Sequence, residues 1–152
     1  MIAISSCLVG ENCTYKGSNN YIKGLEELVA QNKAITICPE VLGGMTIPRN
    51  PCEIVDQQQG IVIDNQGNDK SKEYLLGAQK ALKILQDNFV DIALLKFRSP
   101  SCGKGLVYDG SFSHQLVSGD GITTKLLQEN GIVVYNENEI DKFFKEIEKR
   151  YK

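Results

Sequence analysis

The chain opens on a short apolar, β-prone run, residues 2–6, that reads as a buried strand. Over residues 20–32, Ile22, Leu25, Leu28 and Val29 recur at helical spacing and predict an amphipathic helix. Residues 34–38 form a second strand, stopped by Pro39. A stretch rich in Gly and Pro, residues 39–59, then breaks both periodicities, and a loop of this length inside a small domain is usually functional. A short extra strand is expected at 60–64, turning at "DNQGND". The longest helical pattern, residues 70–88, carries Leu75, Leu76, Ala78, Ala81, Leu82 and Leu85.

A third core strand at 91–96 is followed by a second long loop, residues 97–119. Asp120 or Thr123 is placed to cap a helix over 122–130, and Gly131 to end it. A fourth strand at 132–135 and a charged helix over 137–152 complete the pattern. Strands alternating with helices predict an α/β fold: one three-layer, Rossmann-like domain spanning 1–152, with a mainly parallel sheet.

Composition adds exclusions. With 152 residues, 41% hydrophobic and 24% charged, the chain is long enough to bury a core. No apolar run approaches the ~20 residues of a membrane span, and no signal-peptide pattern opens the chain, so a cytoplasmic protein without membrane association is expected. A formal net charge of -2 argues against nucleic-acid polymers as partners.

The five cysteines are an odd number, and in a reducing compartment that pattern points to metal-binding, catalytic or inert core thiols before disulfides. No CxxC pair is present, which disfavours a zinc finger or a thioredoxin-like site. Open parallel sheets bind ligands beyond the carboxyl ends of their strands. Cys7 follows the first strand, Cys38 ends the second, and Cys102 lies just beyond the third core strand. Three thiols from distant parts of the chain therefore converge on one edge, suiting a soft metal site or an iron–sulfur cluster with one coordination position left open. Cys13 and Cys52 sit in neighbouring loops, as a fourth ligand, a resolving thiol or neither.

Other candidates draw weight from that edge. Glu40 follows Cys38 and Pro39 and is placed for acid–base work. Ser99 and Ser101 flank Pro100 before Cys102 and offer hydrogen bonds to a bound ligand, although loop serines commonly serve turns. Lys96, Arg98 and Lys104 would favour a thiolate at Cys102. His114, the one histidine, would have to serve any Cys–His pair, and no pattern brings it near a cysteine. The glycines of "SGDGITT" suggest amides turned toward an anion at a helix start.

The stretches "SSCLVGENCTYKG", "CPEVLGGMTIPRNPCEI", "LLKFRSPSCGKGLVYDGSF" and "GDGITTKLLQENGI", taken in order, resemble the thiouracil desulfurase (desulfidase) family over essentially the whole chain. The resemblance implies a desulfidase holding a 4Fe-4S cluster by three cysteines only, which correspond to Cys7, Cys38 and Cys102. The remaining iron would then be open to the sulfur of a small thiolated substrate such as thiouracil, and the reaction would be thiocarbonyl hydrolysis. Glu40 matches the acid–base residue of the "CPE" motif, and Ser101 or Ser99 a hydrogen-bonding serine of "SPSCG". Arg49 of "PRNP" would position substrate or support its loop. Thr14, Lys16 and Cys52 depart from the residues usual at those positions, which bears on substrate identity and leaves the three cysteines intact. The alternatives are a sulfur-transfer protein, a cluster- or metal-binding sensor module, and a metal-free protein with inert thiols.

Overall fold

A computed structural model describes residues 1–151. In chain order the elements are β1 (Ile2–Ser5), α1 (Leu25–Ala30), β2 (Ala34–Ile37), α2 (Pro39–Leu42), β3 (Cys52–Asp56), β4 (Ile61–Asp64), α3 (Ser71–Asp87), β5 (Ile92–Leu95), β6 (Leu106–Tyr108), β7 (Leu116–Ser118), α4 (Ile122–Glu129), β8 (Val133–Asn136) and α5 (Ile140–Arg150). Single 3-10 turns follow β1 at Ser6–Val9 and β8 at Glu137–Glu139.

Four strands form a parallel sheet in the order β2-β1-β5-β8. The chain moves outward from β1 to β2, then returns past β1 to place β5 and β8 on its other side. That reversal puts a topological switch point between β1 and β5, where open sheets bind ligands.

Alternation along the strands builds two cores. Ile2 and Ile4 of β1, with Ile92 and Leu94 of β5, pack against Leu25 and Leu28 of α1 and Phe143 and Ile147 of α5. Ala3, Ala93 and Leu95 point the other way, onto Ala81 and Leu85 of α3 and Leu127 of α4. Helices therefore cover both faces, as parallel strands require. The result is the expected three-layer, Rossmann-like α/β arrangement. No helix among the described residues is long and apolar enough to cross a membrane.

Two antiparallel hairpins stand beside this sheet. β3 pairs with β4, and Cys52, Ile54 and Val62 form a third core with Tyr74 and Val107. β6 pairs with β7. β4 is the short extra strand expected at 60–64, whereas β3, β6, β7 and α2 fall in stretches read from sequence as long irregular loops. They are as short as the core strands, but they lack the continuous apolar run that burial on both faces gives a core strand, and they lie among glycines, prolines and polar residues.

Other boundaries moved for local reasons. The helix expected over 20–32 begins only at Leu25, because Gly24 precedes it in a left-handed conformation (φ 99) and the segment before it is tied to the β1 end. Asn20 N–H donates to the Cys7 carbonyl and Ile22 N–H to the Leu8 carbonyl, each at 2.9 Å. The α4 N-cap is Gly121, and neither Asp120 nor Thr123 caps it through a side chain. Leu75 and Leu76, read as core, lie exposed on α3, whose buried stripe runs through Tyr74, Ala78, Ala81 and Leu85. The charged C-terminal helix begins at Ile140 after a capping-box turn at Asn136, and Lys152 lies outside the described residues.

One contact sets the position of α2. A Cβ on Gly77 of α3 would fall 1.9 Å from the Pro39 carbonyl oxygen, and one on Gly43 2.0 Å from the Glu73 carbonyl oxygen. The two backbones touch only because both residues lack side chains. This contact seats the turn that carries Glu40 against the sheet edge.

Candidate functional site

Cys7, Cys38 and Cys102 reach one cavity from three separate strand ends. Cys7 lies in the 3-10 turn directly after β1, Cys38 is the N-cap of α2 directly after β2, and Cys102 sits in the turn beyond β5. All three line a cavity of about 620 Å³, at the switch point of the sheet. Cys13 and Cys52 line it too, and all five thiols are free. Among the described residues, no three His, Cys, Asp or Glu side chains gather closely enough to hold a single metal ion. The cavity thus presents soft thiol donors from several sides around a space sized for a small-molecule ligand.

The thiols differ in their electrostatics. Burial pushes Cys7 and Cys102 up, so the basic neighbours expected to ionise Cys102 do not do so. Lys96 and Lys104 are engaged instead with Glu137 (2.9 Å) and Glu139 (2.8 Å). Cys38 is lowered to about 7, first by a hydrogen bond from the Cys13 thiol, then by the Val41 backbone amide and the nearby Arg49 charge, against its own burial. Cys13 is raised in the same exchange, so the proton stays on Cys13. As a thiol, Cys38 donates to the Cys13 carbonyl at 3.8 Å; once ionised it accepts from the Cys13 thiol. Burial pushes Cys52 up to about 11.

Glu40 lines the same cavity and is fixed from two sides. Its Oε1 accepts from Arg49 Nε and from the Tyr74 hydroxyl, both at 3.0 Å. Arg49 is itself anchored by donating to the Thr46 carbonyl (3.1 Å) and the Cys13 carbonyl (2.9 Å), which knits the loops after β1 and β2 together. Tyr74 is buried and packs in the same core as Cys52.

The two serines part company. Ser99 lines the cavity, and its Oγ accepts from the backbone N–H groups of Ser101 (3.1 Å) and Cys102 (3.0 Å). Its hydroxyl hydrogen is left over to donate. Ser101 lies outside the cavity lining, buried, with Oγ 2.9 Å from Thr123 Oγ1. The motif around Cys102 is clamped to the start of α4. The Ser101 carbonyl accepts from the N–H groups of Thr123 and Thr124, and the Cys102 carbonyl from Thr124 Oγ1 at 2.7 Å. These bonds consume amides that the sequence suggested for an anion, and α4 serves instead to hold Cys102 in place.

The sequence did not place His114, Tyr108, Phe112, Tyr74 or Glu53 at this site, yet all five line the cavity. His114, Tyr108 and Phe112 arrive on the β6–β7 hairpin, whose existence no local pattern announced. Tyr74 sits on the buried stripe of α3, where a tyrosine looks like any core residue.

Residues 2–139 match the family model described as 2-thiouracil desulfurase. The chain is 38% identical to the protein YbbK of Bacillus subtilis (strain 168), across 93% of this chain and 98% of that protein. It is similar to a solved structure described as the 4Fe-4S-dependent thiouracil desulfidase TudS, with a TM-score of 0.90, 36% identity, and 97% of each chain covered. On its sequence and its fold alike, the chain belongs to the 2-thiouracil desulfurase family.

Proposed function

We propose that the protein is a 4Fe-4S-dependent desulfidase that replaces the thiocarbonyl sulfur of a small molecule such as thiouracil by oxygen. The observation that carries this reading is the meeting of three thiols from three strand ends with a doubly anchored glutamate in one cavity. In this reading Cys7, Cys38 and Cys102 hold the cluster. When bound, it supplies an iron that no protein side chain occupies, a Lewis acid and sulfur acceptor. Support comes from the donor set itself, soft and three-sided, and from the similarity to TudS.

The chain's own residues carry the proton chemistry. Water adds to the thiocarbonyl carbon while the carbon–sulfur bond breaks; the oxo product and sulfide are the outcome, and no net electrons are exchanged. Glu40 takes a proton from the attacking water through Oε2, because Arg49 and Tyr74 occupy Oε1. Ser99 donates its remaining hydrogen toward the reacting group, and Ser101 keeps its buried bond to Thr123. Arg49 acts as the brace of Glu40 and of both flanking loops.

The test is anaerobic reconstitution with iron and sulfide, followed by incubation with 2-thiouracil. Stoichiometric release of sulfide and uracil is expected. A reconstituted protein that binds iron but releases no sulfide would replace this reading with that of a sensor or sulfur-transfer module.

A further inference from the structure

Three rings enter the cavity from an element that carries none of the thiols. Tyr108 ends β6, and Phe112 and His114 lie in the loop between β6 and β7. Tyr108 and His114 meet edge to face, with ring centroids 6.2 Å apart at 79°.

This loop is held from below by a buried carboxylate. Glu53 of β3 accepts from the Gly110 N–H (3.0 Å) and the Phe112 N–H (3.1 Å) through one oxygen. Gly110 sits so close to β3 that a Cβ would lie 2.9 Å from the Ile54 carbonyl oxygen. Asp109 N–H donates to the Gln115 carbonyl at 2.9 Å and closes the loop at its neck. Within it Phe112 (φ 58) and His114 (φ 61) both occupy the left-handed region, which bulky side chains rarely adopt. The unusual backbone thus coincides with two of the three residues whose rings this hairpin brings to the cavity, as strain held by surrounding contacts often does at ligand sites.

We infer that the β6–β7 hairpin selects the substrate: Tyr108, Phe112 and His114 form the surface on which a planar heteroaromatic ring lies, and Glu53 holds that surface in place. This rests on the desulfidase reading for the reaction. Aromatic faces bind flat heterocycles by stacking and discriminate little among their substituents. A flexible acyclic thioamide gains no comparable contact.

The experiment uses the reconstituted protein and two ligands, 2-thiouracil for turnover and uracil for equilibrium binding by calorimetry. Phe112→Leu keeps apolar bulk and removes the ring face. It should raise KM for 2-thiouracil and weaken uracil binding by about tenfold, with kcat within about twofold and iron content unchanged. Phe112→Tyr should restore both. His114→Ala should act in the same direction as Phe112→Leu. Glu53→Ala should speed hydrogen exchange at the Gly110 and Phe112 amides. Unchanged KM and uracil affinity in Phe112→Leu and His114→Ala, beside normal wild-type turnover, would overturn the inference alone. Wild-type protein that binds uracil without releasing sulfide, and loses that binding in Phe112→Leu, would sink the desulfidase reading and support the hairpin's role. Wild-type protein that binds neither ligand would overturn both.

Discussion

Ser99 and Ser101 are separated by one proline, and the turn between them sends their hydroxyls to different places. Ser99 faces the cavity with both acceptor positions used by backbone amides, while Ser101 is sealed against Thr123. Ser99→Ala should therefore lower desulfuration by roughly tenfold to a hundredfold, read as initial rates of sulfide release per bound iron. Ser101→Ala should leave that rate near wild type. Its effect should be on stability, about 1–2 kcal/mol, because the Thr123 hydroxyl is left buried without its partner, and thermal unfolding would register it. Glu40→Gln should cost on the order of a hundredfold in kcat with iron content retained. At this scale the sequence was informative where a residue followed a strand directly. Cys7, Cys38 and Glu40 could be placed at the sheet edge for that reason, and Cys102 because the segment after β5 leads to the same edge. Which of two serines faces inward depends on backbone turns that no spacing rule encodes, and the role of Tyr74 depends on what lies opposite a helix face.

Elements explain why those residues stay put. Gly77→Ala would force α3 and α2 apart, since the new methyl group would overlap the Pro39 carbonyl oxygen. The expected loss is roughly 3 kcal/mol, or about 10 °C in thermal midpoint for a chain of this size. Because α2 carries Glu40, activity should fall even below the unfolding range. The β3–β4 hairpin offers an independent check through pH. Asp64 is buried, and bonds from the Asn68 side chain, the Asn68 and Gln66 amides, and the Asn50 side chain hold its carboxyl down at about 2. A carboxylate lowered in the folded state stabilises fully above its unfolded value of about 3.9. That contribution is lost as pH falls through the folded value. The stability gap between wild type and Asp64→Asn, followed by thermal unfolding of the cluster-free protein, should thus be widest above about pH 4 and close toward about pH 2. The core strands could be read because burial on both faces makes them near-continuous apolar runs, and α3 because one buried face leaves a helical period. Elements α2, β3, β6 and β7 are held by partners far away in sequence, such as Glu53 reaching Gly110, and leave no local trace.

For the whole molecule, the strand order brings the chemistry together. Placing β1 beside β5, with β2 outside, gathers the segments that follow three strands around one cavity, so three cysteines spaced far apart in sequence come to line the same space. Cys7→Ser, Cys38→Ser and Cys102→Ser should each abolish retention of a full cluster. Cys52→Ser should retain it, because that thiol is turned toward the Asn50 carbonyl and Tyr74. The most direct measurement is iron and acid-labile sulfide content of the anaerobically reconstituted chain, taken together with sulfide released from 2-thiouracil, across wild type and these four variants. About four irons per chain with sulfide release in wild type and Cys52→Ser, and loss of both in the other three, is the predicted result. A cluster that survives the loss of Cys7, Cys38 or Cys102, or a loaded wild-type protein that releases no sulfide, would contradict it.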